Sequence, residues 1–172
     1  VIAPAKLRCE WVRRAIADNP RFALDLLETE RSGPSYSVDT LRSFADRLAP
    51  EKPVFVIGQD AFAEIETWRV PATLFTLAHF AVITRPPAAE GSLAEQLPAG
   101  FAQHFDLDRE AEFGRHRSAE TWIRWVRISA LEVSSTEIRR WIREGRSVRY
   151  LLPEAVWREV IRSGIYAERN QA

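Results

Sequence analysis

Methionine is missing altogether from the 172 residues, cysteine occurs once, glycine seven times, and lysine only as Lys6 and Lys52. Each scarcity excludes something. The lone thiol, Cys9, rules out an internal disulfide and a multi-cysteine zinc site. The glycines, at positions 33, 58, 91, 100, 114, 145 and 164, never pair as G-x-G, and none is followed by lysine. Neither a dinucleotide fingerprint nor a Walker phosphate loop is therefore present. A G-x-S-x-G nucleophile elbow is absent as well. The three histidines, His79, His104 and His116, are too scattered for a local metal box. Long apolar runs are lacking: residues 72–83 are interrupted by His79 and fall short of the ~20 residues a spanning helix needs. No basic-then-apolar leader opens the chain, and without a methionine Val1 is not expected to be a natural translation start. Neither charge sign dominates, since 24 basic residues balance 24 acidic ones. That balance gives no whole-chain reason to expect nucleic acid or a membrane as partner, and the expected location is the cytoplasm.

What is present points to a globular fold. With 46% hydrophobic and 28% charged residues the chain can bury a sizeable core, and its length fits a single domain spanning 1–172. Spacing predicts a helix over 7–16, a short strand where Phe22, Leu24 and Leu26 alternate, and a helix from Ser37 to about Leu48. Val54 to Ile57 is a continuous apolar run between Pro53 and Gly58, as in a strand buried on both faces. Short helices are expected over 60–66 and 70–78, then a second buried strand over 80–83. Residues 86–120 read as a loop-rich connection, and 122–128 as a strand. From about 134 the chain reads as helical: Ser134 to Glu144 stopped by Gly145, and Pro153, at the first helical position, to Arg162 stopped by Gly164. Alternating strands and helices imply an α/β architecture, a mostly parallel sheet flanked by helices. Ligands of such sheets collect beyond the carboxyl ends of the strands, where Gly58-Gln59-Asp60 and Thr84-Arg85 stand.

The candidate chemistry lies in a few segments. Ser134 and Glu137 satisfy the S-x-x-E capping box, which by itself explains both. Ser135 and Thr136 add hydroxyls at a helix N-terminus, where free N–H groups and the dipole favour phosphate, and Arg139 is one turn further on. On spacing alone the plain cap is the simpler reading. Between Arg115 and Arg162, eleven arginines face six acids; a solvated helix surface accounts for most of them. Trp141, Tyr150 and Trp157 are expected at apolar helical positions in the core, which weakens a nucleic-acid reading. Asp60 is suited either to accept ribose hydroxyls or to cap the helix after Gly58. Tyr36 and Trp68 are aromatic residues in polar surroundings, suited either to packing or to stacking on a planar ring.

In order along the chain, Arg31-Ser-Gly-Pro-Ser-Tyr-Ser-Val-Asp-Thr-Leu41, Phe55-Val-Ile-Gly-Gln-Asp60 with Trp68 after it, Phe80-Ala-Val-Ile-Thr-Arg-Pro86, Val133-Ser-Ser-Thr-Glu-Ile-Arg139, Gly145-Arg-Ser-Val-Arg-Tyr-Leu-Leu-Pro153 and Gly164-Ile-Tyr166 closely resemble the bacterial nicotinate-nucleotide adenylyltransferases. The likeness covers nearly everything outside the 87–120 connection. It implies a Rossmann-like nucleotidyltransferase fold and adenylyl transfer from ATP to nicotinate mononucleotide, giving deamido-NAD and pyrophosphate, with Mg2+ required. Carried over residue by residue, it implies that Tyr36, Ser37 and Trp68 face the pyridine nucleotide. Gly58 and Asp60 then contact nucleotide ribose, and Ser135, Thr136 and Arg139 hold the ATP phosphates. No protein metal ligand is implied, and monomer or homodimer stays open.

Three departures from the family pattern stand out. Ser37 replaces the usual threonine but keeps its hydroxyl, and Gln59 replaces a usual small residue. The family also opens with a Gly-rich strand and a His/Thr-x-Gly-His loop, and none of the three histidines here lies in such a pattern. Val1-Ile-Ala-Pro4 resembles the stretch after that opening, so the expectation is a chain lacking its N-terminal segment and unable to catalyse adenylyl transfer unaided. A related transferase for another acceptor, such as phosphopantetheine, and a catalytically inactive nucleotide-binding module are the alternatives.

Overall fold

The computed structural model describes residues 2–84, 91–108, 110, 112–129 and 133–167. They fall into two compact units, one formed by 33–130 and the other by 1–32 with 131–172.

The 33–130 unit is built on a five-stranded sheet of β1 (Val54–Gly58), β2 (His79–Thr84), β3 (Phe105–Leu107), β4 (Phe113–His116) and β5 (Trp122–Arg127). The spatial order is β1-β2-β5-β4-β3; β1, β2 and β5 run parallel, and β4 and β3 extend the sheet antiparallel. Its helices are α3 (Ser37–Leu48), α4 (Gln59–Ala63), α5 (Pro71–Leu77), α6 (Leu93–Gln96) and α7 (Ala99–Ala102), with a 3-10 turn at Ile65–Thr67. The α3 pattern follows from sequence: Val38, Leu41 and Ala45 fall on one helical stripe and are buried. The helix stops where Ala49, preceding Pro50, turns to extended backbone.

Parallel register aligns Phe55 with Phe80 and Phe80 with Ile123, and in the next layer Ile57 with Val82 and Val82 with Trp125. Since strand side chains alternate, these six share one face and belong to the core or pack against it. Phe75 of α5 stands at the centre of that core. Its ring lies 4.8 Å from Phe80, 5.2 Å from Phe101, 5.4 Å from Phe105 and 6.5 Å from Phe62. Its backbone carbonyl accepts a hydrogen bond from the buried Thr121 hydroxyl at 2.6 Å.

Several expectations need correction. Residues 22–26 form no strand; the local structure that follows is a single helical turn, α2 (Leu27–Glu30). Alternation gives a strand only where a partner receives its hydrogen bonds, and none is formed there among the described residues. The β1 run is a strand but is not buried on both faces: Val54 is 49% and Val56 63% exposed. The strand pairs through β2 alone among the described residues, and its core contacts come from Phe55 and Ile57. The 86–120 connection carries more structure than its composition suggests, namely α6, α7, β3 and β4. Leu93, Leu97, Phe101 and Phe105 supply its apolar anchors. Arg85 and Pro86 lie outside the described residues.

In the other unit, α1 (Ala5–Ala15) packs with α9 (Glu154–Ser163), where Trp11 meets Tyr166 at 6.1 Å and Arg14 reaches Glu159 at 3.8 Å. α8 (Ser135–Arg143) ends before Gly145, and α9 ends at Gly164; both glycines adopt left-handed backbone (φ 70 and 60°) that a side chain would strain. Pro153 is the N-cap of α9 and not, as expected, its first helical residue, which is Glu154. Tyr150 is not a core residue. It lies outside any helix at φ 72° and is 85% exposed, while Trp141 and Trp157 are half-buried. Arg149 stacks on both Tyr150 and Trp157, and Arg146 on Trp141, so the rings serve guanidinium groups as well as packing. No helix of the described residues is long and apolar enough to cross a membrane.

Candidate active site

The carboxyl end of β1 leads through Gly58, the N-cap of α4, into Gln59 and Asp60. No side chain caps α4, so Asp60 is not held as a cap; it is exposed on the first turn. At the neighbouring end of β2, Thr84 is fully buried. Thr84 Oγ1 and Gln59 Oε1 are buried without a hydrogen-bond partner among the described residues. Such groups are costly unless something satisfies them, and two at adjacent parallel strand ends mark the usual ligand side of an α/β sheet.

A cavity of about 230 Å3 opens in the same unit, lined by Ser35, Tyr36, Ser37, Thr67, Trp68 and Arg69. Two separate segments build it. Ser37 is the first residue of α3 and Tyr36 its N-cap, so the cavity lies against the N-terminus of a twelve-residue helix. The opposite lining follows the 3-10 turn, where Trp68 turns to extended backbone. Trp68 is half-buried, its ring edge-on to Phe55 at 6.3 Å between centroids. The structure thus brings together Tyr36, Ser37 and Trp68, the three residues singled out for one ligand from sequence.

Arg69 was not singled out. Its guanidinium carbon lies 4.7 Å from the centroid of the Tyr36 ring, and Nη1 is 4.0 Å from Asp39 Oδ2. Asp39 also pairs with Arg42 at 3.4 Å. Val70 follows at φ 46°, a left-handed conformation unusual for a β-branched residue, and Pro71 then starts α5. The sequence signal available was a cation beside Trp68; that Tyr36 would be its partner was not visible locally.

Ser135, Thr136 and Arg139 belong to the other unit. Ser134 caps α8: its Oγ accepts from the Glu137 backbone N–H and donates to Glu137 Oε2, each at 3.1 Å. The cap therefore accounts for Ser134 and Glu137 and leaves Ser135 and Thr136 exposed at the N-terminus. Arg139 Nη2 donates to Thr136 Oγ1 at 3.0 Å, drawing a guanidinium back to the first turn. Backbone N–H groups, hydroxyls and a cation at one helix end form an arrangement suited to an oxyanion.

Among the described residues no three His, Cys, Asp or Glu side chains gather as a metal cluster. The two histidines whose proton affinity the fold lowers, His79 and His116, do not line the cavity; burial is the main cause for both.

Residues 1–141 match the family described as cytidylyltransferase-like. Curated relatives named probable nicotinate-nucleotide adenylyltransferase include that of Geobacter metallireducens, 37% identical over 163 residues, covering 95% of this chain and 75% of the relative. That of Citrifermentans bemidjiense is 38% identical over 161 residues (94% and 74%). That of Halorhodospira halophila is 40% identical over 159 residues (92% and 71%). Among solved structures, Plasmodium falciparum nicotinic acid mononucleotide adenylyltransferase complexed with APC superposes with a TM-score of 0.63 at 15% identity. The superposition covers 96% of this chain and 77% of that one, and shows a shared fold.

Proposed function

The chain belongs to the cytidylyltransferase-like family and, within it, to the nicotinate-nucleotide adenylyltransferases, and from this premise we propose that it transfers an adenylyl group from ATP to nicotinate mononucleotide. The products are deamido-NAD and pyrophosphate. An oxygen of the mononucleotide's phosphate attacks the α-phosphorus in line, the new P–O bond forms, and the bond to pyrophosphate breaks. No protein nucleophile is needed, so the protein's contribution is positioning and charge stabilisation.

The observation that carries this reading is the convergence of Tyr36, Ser37 and Trp68 on one cavity from two distant segments. Two aromatic residues supply stacking surface for a pyridine ring, and the α3 N-terminus favours negative charge on the same ligand. Gly58 and Asp60, at the carboxyl end of β1, are assigned to nucleotide ribose; the exposed Asp60 carboxylate, not used as a cap, is placed to accept hydrogen bonds from the hydroxyls. Ser135, Thr136 and Arg139 are assigned to the ATP phosphates, an assignment supported by the hydroxyls that the α8 cap leaves over. Mg2+ would enter with ATP and would offset the negative charge of its phosphates. The two compact units are read as one nucleotidyltransferase domain, which the family match across both supports.

The test is to supply the full natural chain with ATP, Mg2+ and nicotinate mononucleotide and to follow deamido-NAD and pyrophosphate. Formation of both in equal amounts is expected. Adenylylation of phosphopantetheine in preference, or no turnover, would overturn the reading.

A further inference from the structure

We infer that the Arg69 side chain selects an acidic over an amidated acceptor, reading the ring carboxylate of the pyridine nucleotide. The inference rests on the cavity being the acceptor site, and adds to that reading the residue that sets its charge preference.

Of the six lining residues Arg69 alone carries a charge, and that charge is positive. In the present state its guanidinium covers the ring of Tyr36 at 4.7 Å. An incoming planar ring that stacks on Tyr36 from that side must displace it. A displaced guanidinium needs a new partner, and Asp39 is a poor one: it stands at 4.0 Å and is engaged by Arg42 at 3.4 Å. A ring bearing a carboxylate brings the partner with it, because a carboxylate matches the planar guanidinium fork and accepts two parallel N–H bonds. A ring bearing a carboxamide displaces Arg69 and returns one neutral acceptor. The same substitution on the ligand thus changes the outcome of one exchange, cation on ring for cation on carboxylate.

Three further features agree. The α3 N-terminus at Ser37 adds positive potential to the same cavity. The Arg69 side chain is 58% exposed, so it can leave Tyr36 without breaking core packing. The residue after it, Val70, is held left-handed at φ 46° ahead of Pro71, which fixes the backbone from which Arg69 projects. The carboxylate rather than the 5′-phosphate is assigned because Arg69 lies against the aromatic wall of the cavity, where the ring binds; the phosphate is separated from the ring by the ribose.

The experiment measures binding directly, by calorimetry, of nicotinate mononucleotide and nicotinamide mononucleotide to the protein and to Arg69→Gln and Arg69→Lys. Arg69→Gln should weaken the acid by about tenfold or more and leave the amide within about twofold, as expected for losing hydrogen bonds to a charged group. Arg69→Lys, which keeps the charge but not the fork, should fall between. Equal weakening of both nucleotides would place Arg69 on the shared phosphate and overturn the inference, as would unchanged acid binding. Because binding is read without turnover, failure here is distinguishable from failure of the adenylyl-transfer reading, which the product assay tests separately.

Discussion

Replacing Trp68 with alanine separates the acceptor site from the rest of the chemistry. The indole is partly buried, edge-on to Phe55 at 6.3 Å, and also lines the cavity. Two losses therefore accompany Trp68→Ala. Truncating a buried aromatic costs about 3–5 kcal/mol, so a half-buried one should cost roughly half that in global stability. Loss of a base-stacking platform costs about 1–3 kcal/mol of ligand binding, or roughly 5- to 150-fold in affinity. Denaturant unfolding reads the first term and steady-state kinetics at a temperature where the variant stays folded reads the second. The expectation is a rise of that size in KM for nicotinate mononucleotide with KM for ATP nearly unchanged. Trp68→Phe, which keeps an aromatic face and an edge for Phe55, should restore most of both losses. If the two KM values rise together, or if Trp68→Ala shifts the acceptor KM less than twofold, Trp68 serves the core and not the ligand.

Arg139→Ala removes the guanidinium that reaches back to Thr136 and should weaken ATP binding by about 1.5–3 kcal/mol; unchanged ATP affinity by titration would reduce the segment to a helix cap. His116 Nδ1 accepts the backbone N–H groups of Ser118 and Ala119, and burial, with the neighbouring His104, lowers its pKa; His79 is lowered mainly by burial. The unfolded chain therefore takes up these protons first, so stability should be full above about pH 6.5 and decline as pH falls below it. Urea midpoints between pH 7.5 and 5.5 test this, and a His116→Gln variant should show a shallower decline; a flat or inverted profile refutes it. Gly114→Ala places a Cβ 2.8 Å from Leu107 Cδ2 and 3.1 Å from Ile123 Cγ2, and should cost about 1–3 kcal/mol by overpacking, measured by the same unfolding experiment.

Elements whose pattern is decided by their own residues were readable in advance. Stripe, start and stop of α3 are all local, as are the Ser134 cap and the glycine stops at 145 and 164. Elements decided by partners were not. Phe22, Leu24 and Leu26 alternate as a strand would, yet no neighbour pairs with them among the described residues, whereas the apolar run of β2 pairs on both sides. Residues 93–107 lacked a period long enough to read, because each piece is a single turn or a three-residue strand fixed by one apolar anchor. Tyr150 looked like core by its spacing, but the chain leaves helical geometry there through a left-handed residue. In the site, Tyr36, Ser37 and Trp68 could be named from sequence through family likeness. Arg69 could not, since its meaning depends on a ring 33 positions earlier in the chain.

Phe75 ties several elements of the 33–130 unit to one another. Its ring touches side chains from α4, β2, α7 and β3, and its carbonyl holds the residue that precedes β5. A residue engaged in so many directions makes local opening expensive, because no one of these segments can swing out without uncovering a wall of the same ring. They are therefore bound to open as one cooperative block, their amide protons exchanging with a common free energy close to that of the whole unit. The short elements between 99 and 107, which by length alone belong with mobile surface loops, acquire the protection of the central strand. A protease meeting that stretch in the native protein has to wait for the sheet itself to come apart.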